Sequence, residues 1–193
     1  MRFQPLAIPG AFLVGPEPIG DRRGWFARGF CQQEFAEHGI DFEIRQANRS
    51  FNGQAGTLRG FHGQFPPHAE QKLLRCVQGC LVDALVDLRP ESPTFLQSVL
   101  VELSAENQRS LLIPERCCHA LQTQCDATEI LYLVSAFYAP EAEFGLRWDD
   151  PQLAIAWPLP VSEISEKDAS WPLLSDSLPT IRTRMTMGGG MPK

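Results

Sequence analysis

Between residues 58 and 157, short apolar runs alternate with turn signals at intervals of roughly 8–12 residues, the pattern of an antiparallel sandwich or barrel. The runs read LLRCVQ, CLVDALVDL, QSVLVEL, SLLIP and EILYLVSAFY. Between and around them lie Gly53, Gly56, Pro66-Pro67, Gly79, Arg89-Pro90, Pro93, Pro114, Asp126 and Pro140. Within 81–88 the alternation puts Val82, Ala84, Val86 and Leu88 on one face and Leu81, Asp83, Leu85 and Asp87 on the other. A face with two aspartates and two leucines suits either the lining of a wet cavity or an outer surface in water. One early segment, 31–38, reads as a helix ended by Gly39, and a second helical turn is expected near 165–168. From 175 the chain runs SDSLPTIRTRMTMGGGMPK, with few large apolar residues, which predicts a flexible tail (175–193) after a single domain (1–174).

Composition narrows the class. A chain of 193 residues, 44% hydrophobic and 21% charged, is long enough for one sizeable core and too apolar for wholesale disorder. Lys+Arg 17 against Asp+Glu 23 gives a net charge of −6, which argues against a nucleic-acid partner held by a basic surface. A small anionic ligand held by a few local arginines remains compatible. No apolar run reaches the ~18 residues of a membrane span, and Pro5 and Pro9 break the N-terminal apolar stretch, so the expected location is cytoplasmic. The six cysteines contain no C-x-x-C pair and are expected to be reduced, mostly buried thiols.

Three stretches carry polar groups where strands should be apolar: Gly56-Thr-Leu-Arg-Gly-Phe-His-Gly-Gln64, Glu70-Gln-Lys-Leu-Leu-Arg75 and Leu112-Ile-Pro-Glu-Arg-Cys-Cys-His119. On a regular strand Leu58, Gly60, His62 and Gln64 share one face. Arg59 falls on the other unless a glycine-associated bulge intervenes. Together these stretches resemble the two halves of a cupin pattern, which implies an all-β jelly-roll barrel with a few short helices. Metal-binding cupins gather a His-x-His pair, a Glu and a later His on one ion. Here Gln64 replaces the second His, and Lys72 near the expected carboxylate would repel a cation, so no metal is expected. A lone strand histidine is more often a hydrogen-bonded, half-buried residue than a catalyst. The company of Arg59, Gln64, Lys72 and His119 is what raises His62 above that.

From about residue 20 to 174 the chain resembles the dTDP-4-dehydrorhamnose 3,5-epimerases, cupin-fold nucleotide-sugar epimerases. The matching pieces include Asp21-x-Arg23-Gly24-x-Phe26, Gln46-x-Asn48-x-Ser50, Leu58-Arg59-Gly60-x-His62-x-Gln64, Lys72-Leu73, Tyr132, Tyr138-x-Pro140-Glu141 and Ser165-x-Lys167-Asp168. The resemblance implies His62 as general base, Asp168 as the acid orienting it, Tyr132 as proton donor on the opposite ring face, and Lys72 as the group stabilising an enolate oxygen. It also implies substrate-binding roles for Arg23, Phe26, Gln46, Asn48, Arg59, His119, Tyr138 and Glu143. The substrate would be a nucleotide-linked 4-keto-6-deoxyhexose carried on dTDP, with no cofactor, and the protein a homodimer.

These residue types suit that chemistry on general grounds. Inverting a carbon α to a ketone needs proton removal from one face and return to the other. A neutral imidazole backed by a carboxylate can take the proton near pH 7, and a phenol can give one. An ammonium at the carbonyl stabilises developing negative charge. Tyr132, among Ile130, Leu131, Leu133 and Val134, could equally be a core residue. The chain also departs from the family pattern, with Phe61 and Gly63 around His62, Arg116-Cys117-Cys118 before His119, Leu133 after Tyr132, and Arg28. Two other functions fit: a single-centre (C3 or C5) epimerase, and a non-catalytic sugar-nucleotide-binding cupin.

Overall fold

The computed structural model describes residues 1–186. Its frame is two antiparallel sheets laid face to face, a cupin-type jelly roll. The strands are β1 (Arg2–Pro5), β2 (Phe12–Gly15), β3 (Ile19–Asp21), β4 (Gly24–Phe26), β5 (Gln46–Asn52), β6 (Leu58–Gln64) and β7 (Lys72–Gln78). They continue with β8 (Cys80–Asp87), β9 (Ser98–Ser104), β10 (Ser110–Ile113), β11 (Cys117–Thr123), β12 (Thr128–Val134) and β13 (Glu143–Gly145). One sheet has the order β1-β2-β10-β7-β12-β5 and the other β13-β6-β11-β8-β9, while β3 and β4 form a separate hairpin. Among the described residues no helix is long and apolar enough to cross a membrane.

The alternation read from the sequence sorts into layers. Leu81 and Leu85 of β8 face inward with Leu74, Cys76, Leu111, Leu121 and Ile130 in the core between the sheets. Ala84, Val86 and Leu88 face the other way, yet they too are buried, in a second core. Asp83 and Asp87 therefore point into the molecule, and neither is solvated. The half-polar face is the interior of the barrel, not an outer surface.

The second core corrects the expected tail. Residues Leu174–Arg184 form a helix, α3, whose Leu174, Leu178 and Ile181, with Met185 beyond it, pack on the outer face of the β6-β11-β8 sheet. Spacings of four, three and four make one apolar helical stripe. Pro179 within it and the polar residues around it conceal the pattern. Arg116 fixes the far end by donating to the Met185 carbonyl at 2.6 Å. It adopts a left-handed φ of 60°, which costs a non-glycine residue some strain that these contacts offset. The end of the expected tail, 187–193, lies outside the described residues. The expectation of six reduced thiols is also corrected, because Cys80 and Cys125 form a disulfide across 45 residues. Cys76, Cys117 and Cys118 are free and buried, and Cys31 is free.

The other helical expectations agree with the structure. Helix α1 (Gln32–Glu37) has Cys31 as N-cap, and the following Gly39 has φ 72°. Helix α2 (Glu166–Ala169) is capped by Ser165, whose Oγ accepts from the Asp168 amide at 3.1 Å.

Away from the cavity, Asp87 ends β8 in a buried cluster. It accepts from Arg89 Nε at 2.8 Å, Ser92 Oγ at 2.6 Å and Thr94 Oγ1 at 2.7 Å. Burial alone would raise its pKa. The Arg89, Ser92 and Thr94 bonds outweigh burial and bring it from the ordinary 3.8 to about 2. Asp87→Ala is expected to destabilise the fold by ~3–5 kcal/mol, because it leaves the largely buried Arg89 guanidinium unpaired. The folded-state pKa is depressed, so the share of this stability that the shift represents, ~2–3 kcal/mol, is present above 3.8 and is lost as pH falls through about 2. Urea melts of both proteins at neutral pH and near pH 3 should show the gap narrowing in acid.

Candidate active site

The open end of the barrel holds a cavity of about 530 Å³. Its wall is built mainly from alternate residues of four strands: Gln46, Asn48 and Ser50 of β5, Lys72 of β7, His119 and Leu121 of β11, and Tyr132 and Val134 of β12; the exposed Arg49 of β5 lines it too. Period-two geometry puts each set on one inward face. Strand β6 departs from it. Both Arg59 and His62, three residues apart, line the cavity. Opposite them, His119 pairs with His62 and Ala120 with Gly60, so the ladder slips by one residue at Phe61, whose ring goes to the outer core. Only glycine fits beside the slip. Gly60 has φ 111°, and a Cβ there would lie 2.5 Å from the His119 carbonyl oxygen. The bulge allowed for in the sequence reading is the reason Arg59 joins His62.

Gln64 is displaced from that row. Its Nε2 donates to the His68 carbonyl at 3.0 Å, and its Oε1 accepts from the Ala139 amide at 2.6 Å, so its amide ties loops together. It is not among the residues lining the cavity.

His62 Nε2 lies 2.7 Å from Asp168 Oδ1, and Asp168 Oδ2 accepts from the Gly60 amide at 3.1 Å. The two come from positions 106 residues apart, brought together because α2 docks beside β6. Burial pushes the Asp168 carboxyl up, but the His62 hydrogen bond and charge, then the Gly60 N–H, hold it below the usual carboxylate range. An ionised carboxylate takes the Nε2 proton in a hydrogen bond and leaves the imidazole lone pair on the other ring nitrogen.

Tyr132 packs its ring on the inter-sheet core and shares a 3.1 Å hydrogen bond between its hydroxyl and Ser50 Oγ. Burial pushes its pKa up to about 12, against the opposing Ser50 bond. A phenol so placed keeps its proton at neutral pH. Tyr132 is thus both the core residue and the cavity residue that the sequence allowed. His119 Nδ1 lies 3.0 Å from Asp83 Oδ2, and burial lowers its pKa, outweighing the Asp83 charge. Asp83 Oδ1 is buried and has no hydrogen-bond partner among the described residues.

The expected binding residues divide. Gln46, Asn48, Arg59, His119 and Tyr138 line the cavity. Arg59 Nε donates to Asn52 Oδ1 at 2.5 Å, and Gln46 Oε1 accepts from the Tyr138 amide at 2.9 Å. Glu143 stands behind the rim, accepting from Tyr138 Oη at 2.9 Å and Lys167 Nζ at 2.6 Å. Arg23 and Phe26 are not brought to the cavity of their own chain. They sit on the β3–β4 hairpin, where Arg23 pairs with Asp21 at 2.5 Å and Phe26 is 72% exposed. Sequence reasoning missed Glu70, which lines the cavity with its carboxylate 3.2 Å from Lys72 Nζ. Its place two residues before Lys72, on the same side of an extended chain, was the available signal.

The family model described as dTDP-4-dehydrorhamnose 3,5-epimerase matches residues 5–176. The chain belongs to that family. As in its relatives, the activity is that of an isomerase, and the family and fold expected from the sequence are those found. The dTDP-4-dehydrorhamnose 3,5-epimerase of Salmonella typhimurium is 42% identical over 176 residues, 90% of this chain and 96% of that protein. The crystal structure of the Bacillus anthracis dTDP-4-dehydrorhamnose 3,5-epimerase, with TDP and pyrophosphate bound, superposes with a TM-score of 0.87 at 36% identity, covering 90% of this chain and 99% of that one. A 3'-monoepimerase from Streptomyces bikiniensis in complex with dTDP-quinovose superposes with a TM-score of 0.84 at 32% identity, covering 92% and 90%. The departures from the family pattern are locally accommodated. A Cβ at Gly63 would lie 2.5 Å from the Phe144 ring, which fills the space beside that strand. Leu133 packs in the apolar cluster under α1, and Arg28 pairs with Glu34 at 3.2 Å.

Proposed function

We propose that this epimerase inverts the carbons flanking the 4-keto group of a dTDP-linked 4-keto-6-deoxyhexose, through an enolate and without a metal or organic cofactor. The observation that carries the reading is the meeting, in one cavity, of a carboxylate-backed imidazole (His62–Asp168), a protonated phenol (Tyr132) and an ammonium (Lys72). His62 takes the α proton and becomes an imidazolium beside ionised Asp168. The carbonyl oxygen gains negative charge, which Lys72 stabilises. Tyr132 returns a proton to the opposite face and is reprotonated from solvent, while the His62 imidazolium gives the abstracted proton up to solvent and regains its lone pair. Arg59, with Gln46, Asn48 and Tyr138 along the same wall, holds the nucleotide diphosphate, and His119 lies beside the sugar. Glu143 holds the Tyr138 hydroxyl in place. The metal-free reading is supported by the donor set. Lys72 puts a cation among the two histidines, and Gln64 spends its amide on the backbone.

Arg23 and Phe26 belong to the same proposal through a second copy of the chain. The β3–β4 hairpin leaves Ile19, Trp25 and Phe26 on the surface, an apolar patch that association would cover. A cytoplasmic homodimer, in which the hairpin completes the site of its partner, is the form we infer.

The test is to give EDTA-dialysed protein a dTDP-4-keto-6-deoxyhexose and determine the product stereochemistry by NMR. Inversion at both C3 and C5 is expected. Inversion at one carbon alone would move the chain to the single-centre reading. Activity regained only on adding Mn, Fe, Ni or Zn would refute the metal-free one.

A further inference from the structure

A carboxylate is an odd lining for a cavity that takes an anionic substrate and builds negative charge on an oxygen. Glu70 supplies one. Its side chain and that of Lys72 are only 12% and 13% exposed, and both face the cavity that holds His62, His119 and Tyr132. Unneutralised, that charge would oppose the enolate, but Oε1 stands 3.2 Å from Lys72 Nζ. The backbone carrying it is fixed at both ends. Gln64 Nε2 holds the His68 carbonyl at 3.0 Å, and the Gln71 amide donates to Ser135 Oγ at 2.7 Å while its carbonyl accepts from the Ser135 amide at 3.0 Å. A lysine head on a four-carbon stem has many rotamers. A carboxylate on a pinned loop selects among them.

We propose that Glu70 is a positioning residue for Lys72, holding its ammonium in the orientation that meets the developing enolate oxygen. The proposal rests on the enolate reading of the cavity. It assigns Glu70 no contact with substrate, so its effect passes wholly through Lys72.

The experiment is a double-mutant cycle on the full chain, with kcat and KM measured for epimerisation of a dTDP-4-keto-6-deoxyhexose. Glu70→Ala should lower kcat by about 10- to 100-fold, the scale of misplacing a catalytic group, with KM within about threefold of the parent. Glu70→Gln keeps an acceptor oxygen at that position and should recover most of the loss. In a Lys72→Ala background, Glu70→Ala should change kcat by less than about twofold, since the group it acts through is gone. A merely structural role would cost activity in both backgrounds. Such an additive loss would overturn the proposal, as would a loss confined to KM or an unchanged kcat in Glu70→Ala. A parent protein that epimerises neither carbon would instead contradict the proposed function, so the two failures are distinguishable.

Discussion

His62→Ala is expected to lower kcat for epimerisation by at least ~10²–10⁴-fold, the usual contribution of a positioned general base. The imidazole pairs a free lone pair with a buried, ionised carboxylate at 2.7 Å, and its side chain is 33% exposed where that of His119, on Asp83, is 7%. Without it the remaining side chains bind the substrate but do not take its proton. Affinity for dTDP, measured by calorimetry, should stay within about threefold, because the reacting carbon and not the nucleotide loses a partner. Retention of more than about a tenth of the activity would remove His62 from the role of base.

The second large effect concerns Tyr132. Tyr132→Phe removes one hydroxyl and almost no volume, so the ring keeps its place on the inter-sheet core. His62 should still take the α proton and return a deuteron from solvent to the same face. Inversion should therefore fall far more steeply than exchange. If the hydroxyl served only its bond to Ser50, the variant would lose about 0.5–1.5 kcal/mol of stability. Exchange and inversion would then fall together or not at all. Both rates can be read from one NMR sample. Equal losses would leave water or another acid as the second proton carrier.

How much of the molecule is legible in its sequence depends on whether the determinant is local. The strands of the barrel follow a period-two pattern, and that pattern alone puts Asp83 and Asp87 on one face. It does not say which side of the sheet that face takes, because both sides are covered, one by the opposite sheet and the other by α3. That helix is hidden by Pro179 and by an apolar stripe that means little without the sheet it rests on. The slip at Phe61 depends on how β11 pairs with β6, so the sequence allows a bulge without locating it. The Cys80–Cys125 disulfide joins positions that only the fold brings together. The dyad of His62 and Asp168 is equally non-local. It is visible in the sequence only through resemblance, while the chemistry of each residue is visible from its type. Arg23 and Phe26 mark the reverse case, residues singled out in the sequence that a single chain does not bring to the cavity.

The most direct test of the central claim is proton NMR of a dTDP-4-keto-6-deoxyhexose incubated with the wild-type protein in D₂O, following the C3 and C5 protons. Enolate chemistry at both α carbons predicts that both signals disappear as deuterium enters, with the product inverted at each. Tight binding with both signals intact would contradict it and leave the cavity a sugar-nucleotide binding site without a reaction.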